Sequence, residues 1–139
     1  MQENKIVIDT NVLVSAVLFP NSLPAKALDK AMNYWEIVVS KNTLNEFLAV
    51  ISRNKFDKYF VNRANGRQVF IENFTQSVTL IEPTEKITDC KDPKDNQFLE
   101  IAISANAQLL VTGDHKDLIT MNPYRGLKIL TAREFLEKY

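Results

Sequence analysis

Four carboxylates stand where a fold could bring them together: Asp9, Glu46, Asp95 and Asp114. Asp9 ends the apolar run Ile6-Val7-Ile8 and is followed by two small polar residues, Thr10 and Asn11. Asp114 repeats that design, since Leu109-Leu110-Val111-Thr112 runs directly into Gly113-Asp114. Asp95 closes Asp92-Pro93-Lys94-Asp95, just ahead of Phe98, Leu99, Ile101, Ala102 and Ala105 at helical spacing. Glu46 lies beside the stripe of Leu44, Phe47, Leu48 and Ile51. Each acid also has a plainer reading. Asp9, and either Asp92 or Asp95, can simply cap a helix, and from its own segment alone Glu46 reads as a solvated helix glutamate. Gathered in one place, however, these acids repel, and each resists ionising unless a cation is present. All-oxygen ligands select Mg²⁺ or Mn²⁺, whereas one His and one Cys are a poor match for zinc. A carboxylate-held metal lowers the pKa of a bound water and neutralises charge on a phosphoryl group, which is the chemistry of phosphate-ester hydrolysis.

The elements that must position these acids alternate. Ile6–Ile8 is β-branched and apolar without alternation, the pattern of a strand covered on both faces. Val12, Leu13, Ala16, Val17 and Phe19 then approach helical spacing. Pro20-Asn21-Ser22 is a turn, and Ser22 with Pro24 resembles a helix start. Leu23, Ala27, Leu28, Ala31 and Met32 give that helix one apolar face up to Asn33. Trp35–Val39 reads as the second strand, and Ser40 or Asn42 opens the helix of Glu46. Asn65-Gly66 marks a turn ahead of a helix carrying Val69, Phe70, Asn73 and Phe74. Val78–Ile81, Leu109–Thr112 and Leu127–Leu130 read as further strands, with a polar loop from Glu82 to Lys91. Thr131 and Glu134 form a capping box for a terminal helix that buries Phe135 and Leu136. The alternation predicts a mostly parallel central sheet of about five strands with right-handed helical crossovers. Asp9 and Asp114 then share the carboxyl edge, where open α/β sheets bind ligands, and the Asp95 helix starts there too. Glu46 joins them only if its helix packs across that edge.

A single domain spanning residues 1–139 is long enough for a real core. Apolar residues make up 45% of it, and three Gly and five Pro argue against disorder. Seventeen basic and seventeen acidic side chains cancel, so a nucleic-acid partner needs a local patch or a bound cation. Arg53 to Arg67 is the densest local patch, with Arg53, Lys55, Lys58, Arg63 and Arg67 interleaved with Phe56, Tyr59 and Phe60. Such a stretch can hold phosphates while rings stack on bases. The favoured reading is that the rings are core and the charges a solvated face. One cysteine, Cys90, suits a reducing compartment. No apolar run approaches ~20 residues, and the chain is expected to be complete and cytoplasmic, with no membrane span or signal peptide. Cys90 and Trp35 read as packing residues, and His115 as an exposed loop residue.

IDTNVLVSA, SKNTLNEFLAVISRNKF, DPKDNQFLEIA and LLVTGD, in that order, resemble the signatures of PIN-domain ribonucleases, and most closely the VapC-like toxins of bacterial toxin–antitoxin systems. The likeness runs from Lys5 to the final REFL segment. It implies a PIN-like three-layer α/β fold with helices on both faces of the sheet. It implies Asp9, Glu46, Asp95 and Asp114 as the catalytic, metal-holding acids, with Asn11 and Asp92 in support. It implies Mg²⁺- or Mn²⁺-dependent cleavage of single-stranded RNA to a 5′-phosphate product, an antitoxin partner, and a homodimer or higher oligomer. One departure matters: His115-Lys116 intervene before Asp117-Leu118, so Asp114 or Asp117 could supply the fourth acid, and Asp114 is preferred because it ends its strand directly. Arg53, Lys55 and Lys58 are weaker candidates for guiding the RNA. The alternatives are a catalytically inactive interaction module on the same fold, an Asp-phosphorylating phosphatase, or a receiver-like domain. The phosphatase wants a second acid where Asn11 stands, and the receiver wants paired acids this chain lacks.

Overall fold

The structure is a computed structural model describing residues 4–63, 65–114 and 116–139. A parallel sheet of β1 (Lys5–Ile8), β2 (Glu36–Val39), β3 (Thr79–Leu80), β4 (Leu109–Val111) and β5 (Lys128–Leu130) runs in the order β3-β2-β1-β4-β5. Every pairing is parallel, and Ile8 lies opposite Val111 across β1 and β4. Among the described residues the α-helices are α1 (Thr10–Leu18), α2 (Leu23–Tyr34), α3 (Lys41–Ile51), α4 (Gly66–Ser77), α5 (Asn96–Ala105) and α6 (Ala132–Lys138).

Alternate strand residues feed two cores, as a pleated sheet requires. Ile6, Ile8, Ile37, Val39 and Val111 meet Leu13 and Val17 of α1, Phe47 and Ile51 of α3, Phe74 of α4 and Phe135 of α6. Val7, Val38, Leu110 and Ile129 face the other way, onto Phe98, Leu99 and Ile101 of α5 together with Ile87, Cys90, Leu118 and Leu127. The result is three layers, with helices on both faces of one sheet. Helix starts follow the sequence closely. Ser22 caps α2, Ser40 and Thr43 form a capping box on α3, and Thr131 and Glu134 form one on α6. The strands are shorter than the apolar runs suggest. β3 keeps only two residues, and Leu80 at this sheet edge is 60% exposed. Phe47 and Ile51 are fully buried, but Leu44 and Leu48 are only half-buried. Among the described residues no helix is long and apolar enough to cross a membrane.

Order β2-β1-β4 makes β1 the strand from which the chain departs to either side, so the β1/β4 boundary is the topological switch point of the sheet. Asp9 leaves the carboxyl end of β1, and its N–H still donates to the Val111 carbonyl at 3.0 Å. On the other side of β4, the Thr112 N–H donates to the Leu130 carbonyl of β5 at 3.0 Å.

Candidate active site

Asp9 is 4% exposed and is the N-cap of α1. Its Oδ1 accepts the Val12 N–H at 2.9 Å, while Oδ2 accepts the Thr112 hydroxyl at 2.5 Å and the Gly113 N–H at 3.3 Å. Burial pushes its pKa up, the three donors pull against that, and the charge of Asp114 adds to the upward push. Thr112, 1% exposed, also accepts the Asp114 N–H on its hydroxyl at 2.9 Å, so one buried side chain links the Asp9 carboxylate to the Asp114 backbone.

Asp114 organises the turn that follows β4. Its Oδ1 accepts the N–H groups of Lys116 and Asp117 at 2.9 and 3.0 Å, and Oδ2 accepts that of Leu118 at 3.1 Å. Burial opposes ionisation, but those backbone donors, together with a hydrogen bond from Asp95, hold the Asp114 carboxylate down at about 2. Asp117 lends its backbone to Asp114, and Asp114 is the one of the two whose carboxylate bonds Asp95. His115 lies outside the described residues.

Asp95 occupies the N-cap position of α5, yet its carboxyl group makes no capping bond. Burial, then the hydrogen bond with Asp114, then the charges of Asp92, Asp114 and Asp9 raise its pKa to about 7. Below about pH 7 the Asp95 carboxyl therefore favours its protonated form beside Asp114. Asp92 does cap: its Oδ1 accepts the Lys94 N–H at 3.1 Å at the start of the short 3₁₀ turn Pro93–Asp95. Asn11 is exposed on the first turn of α1.

Three of the four candidate acids are thus coupled at one sheet edge. Glu46 comes in differently. Half-buried on α3, it accepts a 2.6 Å hydrogen bond on Oε2 from Gln97 Nε2, a residue on the first turn of α5. Neither Gln97 nor Thr112 stands out as a site residue in the sequence. A threonine closing a buried apolar run was the available signal for Thr112. Gln97 has none, because its partner is 51 positions away.

The remaining side chains near the edge are accounted for by packing. Cys90 is buried beside Asp95, Asp117 and Asp114, its N–H donates to Asn96 Oδ1 at 2.9 Å, and burial raises the thiol pKa, which keeps it un-ionised. Trp35 packs edge-on against Phe135. The Thr10 hydroxyl is buried without a hydrogen-bond partner. The basic stretch sits elsewhere. Its 3₁₀ segment Asn54–Phe60 packs at the carboxyl end of α1, where Phe19 meets Tyr59 edge-on. The nine residues of α1 put that end ~14 Å from Asp9. Phe56, Tyr59 and Phe60 are half-buried against the core, with Lys55 over Phe56 and Lys58 over Tyr59. Arg53 is exposed. Arg63 is a latch: its guanidinium donates to the Val17, Leu18 and Tyr59 carbonyls, tying this segment to the end of α1.

Among the described residues, no three Asp, Glu, His or Cys side chains are gathered as a ready cage for a cation. The donor set nevertheless fits a hard divalent ion in charge and type. Asp9, Asp95 and Asp114 supply only oxygen, and burial and mutual repulsion raise the Asp95 pKa to about 7, so a proton there below that pH offsets charge that a cation would offset.

Comparison with known proteins agrees with this architecture. An uncharacterized protein of Methanocaldococcus jannaschii is 34% identical over 148 aligned positions, covering 97% of this chain and 91% of its own. Among solved structures, VapBC2 from Rickettsia felis, bound to a DNA fragment from its promoter, matches with a TM-score of 0.58 at 17% identity, covering 90% of this chain and 96% of that one. VapBC-1 from nontypeable Haemophilus influenzae matches at 0.56 and 18% identity, over 93% and 98% of the two chains. PAE2754 from Pyrobaculum aerophilum matches at 0.52 and 14% identity, over 97% and 88%. At such identities these likenesses establish the fold. The PIN domain family model matches residues 5–116, which carry Asp9, Glu46, Asp95 and Asp114, and the chain belongs to the PIN domain family.

Proposed function

We propose that this protein is a metal-dependent endoribonuclease, the toxin half of a toxin–antitoxin pair, that hydrolyses phosphodiester bonds of single-stranded RNA. The observation that carries the reading is the Asp95–Asp114 pair beside buried Asp9: three coupled acids at the switch point, with no lysine or arginine in ion-pair contact with any of them among the described residues. Such an arrangement calls for a cation, and family membership together with the VapBC likenesses supports a nuclease and a toxin.

In this reading Asp9, Glu46, Asp95 and Asp114 hold Mg²⁺ or Mn²⁺, with Asn11 and Asp92 alongside. When bound, the ion supplies a water of lowered pKa and offsets charge on the scissile phosphate. The chain's own residues do the rest. Thr112 and the Gly113 N–H fix the Asp9 oxygens, and the turn N–H groups of Lys116, Asp117 and Leu118 keep Asp114 ionised. Because the Asp95 pKa is raised to about 7, a cation held there would displace its proton, and binding should release protons below about pH 7. In the same reading Arg53, Lys55 and Lys58, a helix length away, steer a long strand without touching the bond being cut. An apolar groove of about 560 Å³ between α2 and α4, lined by Ala25, Leu28, Met32, Val69 and Phe70, offers a face for an antitoxin. A cytoplasmic site of action and a homodimer belong to the same reading.

One observation favours the inactive interaction module. Asp9 caps α1 and Asp114 caps its own turn, so both have structural reasons to be present. Phosphorylation of Asp9 is disfavoured, since Asn11 stands where that chemistry wants a second acid. Incubation of mixed cellular RNA with Mn²⁺, Mg²⁺ or chelator, using wild type, Asp9→Asn and Asp95→Asn, separates the readings. The nuclease gives discrete fragments only with metal, and each variant loses more than about 100-fold of the rate, beyond what loss of a group behind the ligands costs. Equal behaviour of all three proteins under every condition would leave the interaction module standing.

A further inference from the structure

Glu46 and the coupled aspartates come from different layers. α3 packs on one face of the sheet and α5 on the other, and the two helices also touch each other. Among the described residues, one hydrogen bond joins them, Gln97 Nε2 to Glu46 Oε2 at 2.6 Å. Gln97 lies two residues after Asp95, within the first turn of α5. We infer that Gln97 is a positioning residue for the proposed metal site: it turns the Glu46 carboxylate toward the aspartates and holds it there, so that the first turn of α5 sets two acids at once, Asp95 directly and Glu46 through the amide.

The chemistry of the amide suits that task. A Gln side chain donates without carrying charge, so Glu46 keeps its full negative charge for a cation. The bond engages Oε2 and leaves Oε1 free. A long acidic side chain loses considerable rotamer freedom when ordered, and a neutral donor that fixes it beforehand removes that cost from metal binding. A lysine or arginine in the same place would fix the carboxylate equally well but would offset the charge the metal needs. The pairing also explains how a helix glutamate that looks solvated in its own segment comes to be half-buried.

This inference rests on the metal-dependent reading above, and its test keeps the two apart. Mn²⁺ affinity is measured by calorimetry, and Mn²⁺-induced change in Tm by thermal unfolding, for wild type, Gln97→Ala, Glu46→Gln and the double variant, alongside Tm in chelator. The expected result is that Gln97→Ala weakens Mn²⁺ binding by about 10-fold, in the range for groups that orient metal ligands. Its Tm in chelator should stay close to wild type, and the substitution should cost nothing further once Glu46 is already Gln. Gln97→Glu, which sets a like charge against Glu46, should weaken binding at least as much as Gln97→Ala. A general structural role predicts equal losses with and without the Glu46 carboxylate, and that pattern overturns the inference. So does unchanged Mn²⁺ affinity in Gln97→Ala when wild type binds. Wild type that neither binds Mn²⁺ nor is stabilised by it overturns the metal reading itself, and the role of Gln97 with it.

Discussion

The β1–α1 junction and the start of α5 each place an aspartate at a helix N-cap, and they use it in opposite ways. Asp9 caps: its carboxylate takes the Val12 N–H and two further donors from the β4 side. Asp95 does not cap, because Asp92 opens the preceding 3₁₀ turn and Asp95 is left to bond Asp114. A capping bond stabilises the fold and uses up lone pairs, whereas an uncapped carboxylate pressed against another acid destabilises the fold and stays available. The first junction is where the fold ties its acids to the backbone, and the second is where their mutual repulsion shows as a raised pKa.

The contrast can be broken most sharply by truncation. Asp9→Ala removes a helix cap and strands the Thr112 hydroxyl and the Gly113 N–H, and should cost about 2–3 kcal/mol, read as a lower midpoint in urea. Asp95→Ala removes a repelling acid that caps nothing and should leave the midpoint unchanged or higher; a matching loss at both positions would erase the distinction. Thr112→Val comes next, since it deletes the donor to Asp9 and the acceptor for the Asp114 N–H in a dry site. A cost of about 2 kcal/mol is expected, with weaker metal response as well.

Acidity gives a subtler test. Asp95 has a folded pKa raised to about 7 from 3.8, so its contribution to stability is fully present below pH 3.8 and is lost as pH rises through 7. Asp114, lowered to about 2, behaves oppositely: its contribution is present above pH 3.8 and is lost only as pH falls through 2. In chelator, the Tm of Asp95→Asn relative to wild type should therefore climb between about pH 4 and 7 and be flat on either side. A constant difference across that window would mean the Asp95–Asp114 proton is not shared. The smallest effect belongs to the exposed pair of Arg125 and Glu85, which ties the 82–91 loop to the β4–β5 connection. Glu85→Gln should leave Tm and Mn²⁺ response within scatter, as exposed ion pairs do.

Much of this architecture was readable in the order of residues. Unalternating β-branched runs marked buried parallel strands, Ser22, Ser40 and Thr131 marked helix starts, and two strands ending in acids marked the edge at which ligands bind. These signals are local: periodicity, capping and strand polarity act within a few residues, so one segment carries them whole. The basic run from Arg53 to Arg67 also resolved largely as its composition suggested, with rings against the core and Arg53, Lys55 and Lys58 outside, whereas Arg63 reaches the end of α1 and Arg67 lies half-buried over Phe60, paired with Asp57.

The tertiary structure alone decided how the acids relate. That Asp95 would keep a proton, that Asp9 would be held by Thr112, and that Glu46 would be reached through Gln97 all depend on groups tens of positions apart. Desolvation and charge repulsion are properties of a place in the fold and not of a residue type. The sequence by itself determined which elements form and where their acids point along the chain; only packing across the β1/β4 boundary and between α3 and α5 decided which of those acids meet, because contact across two layers has no local signature.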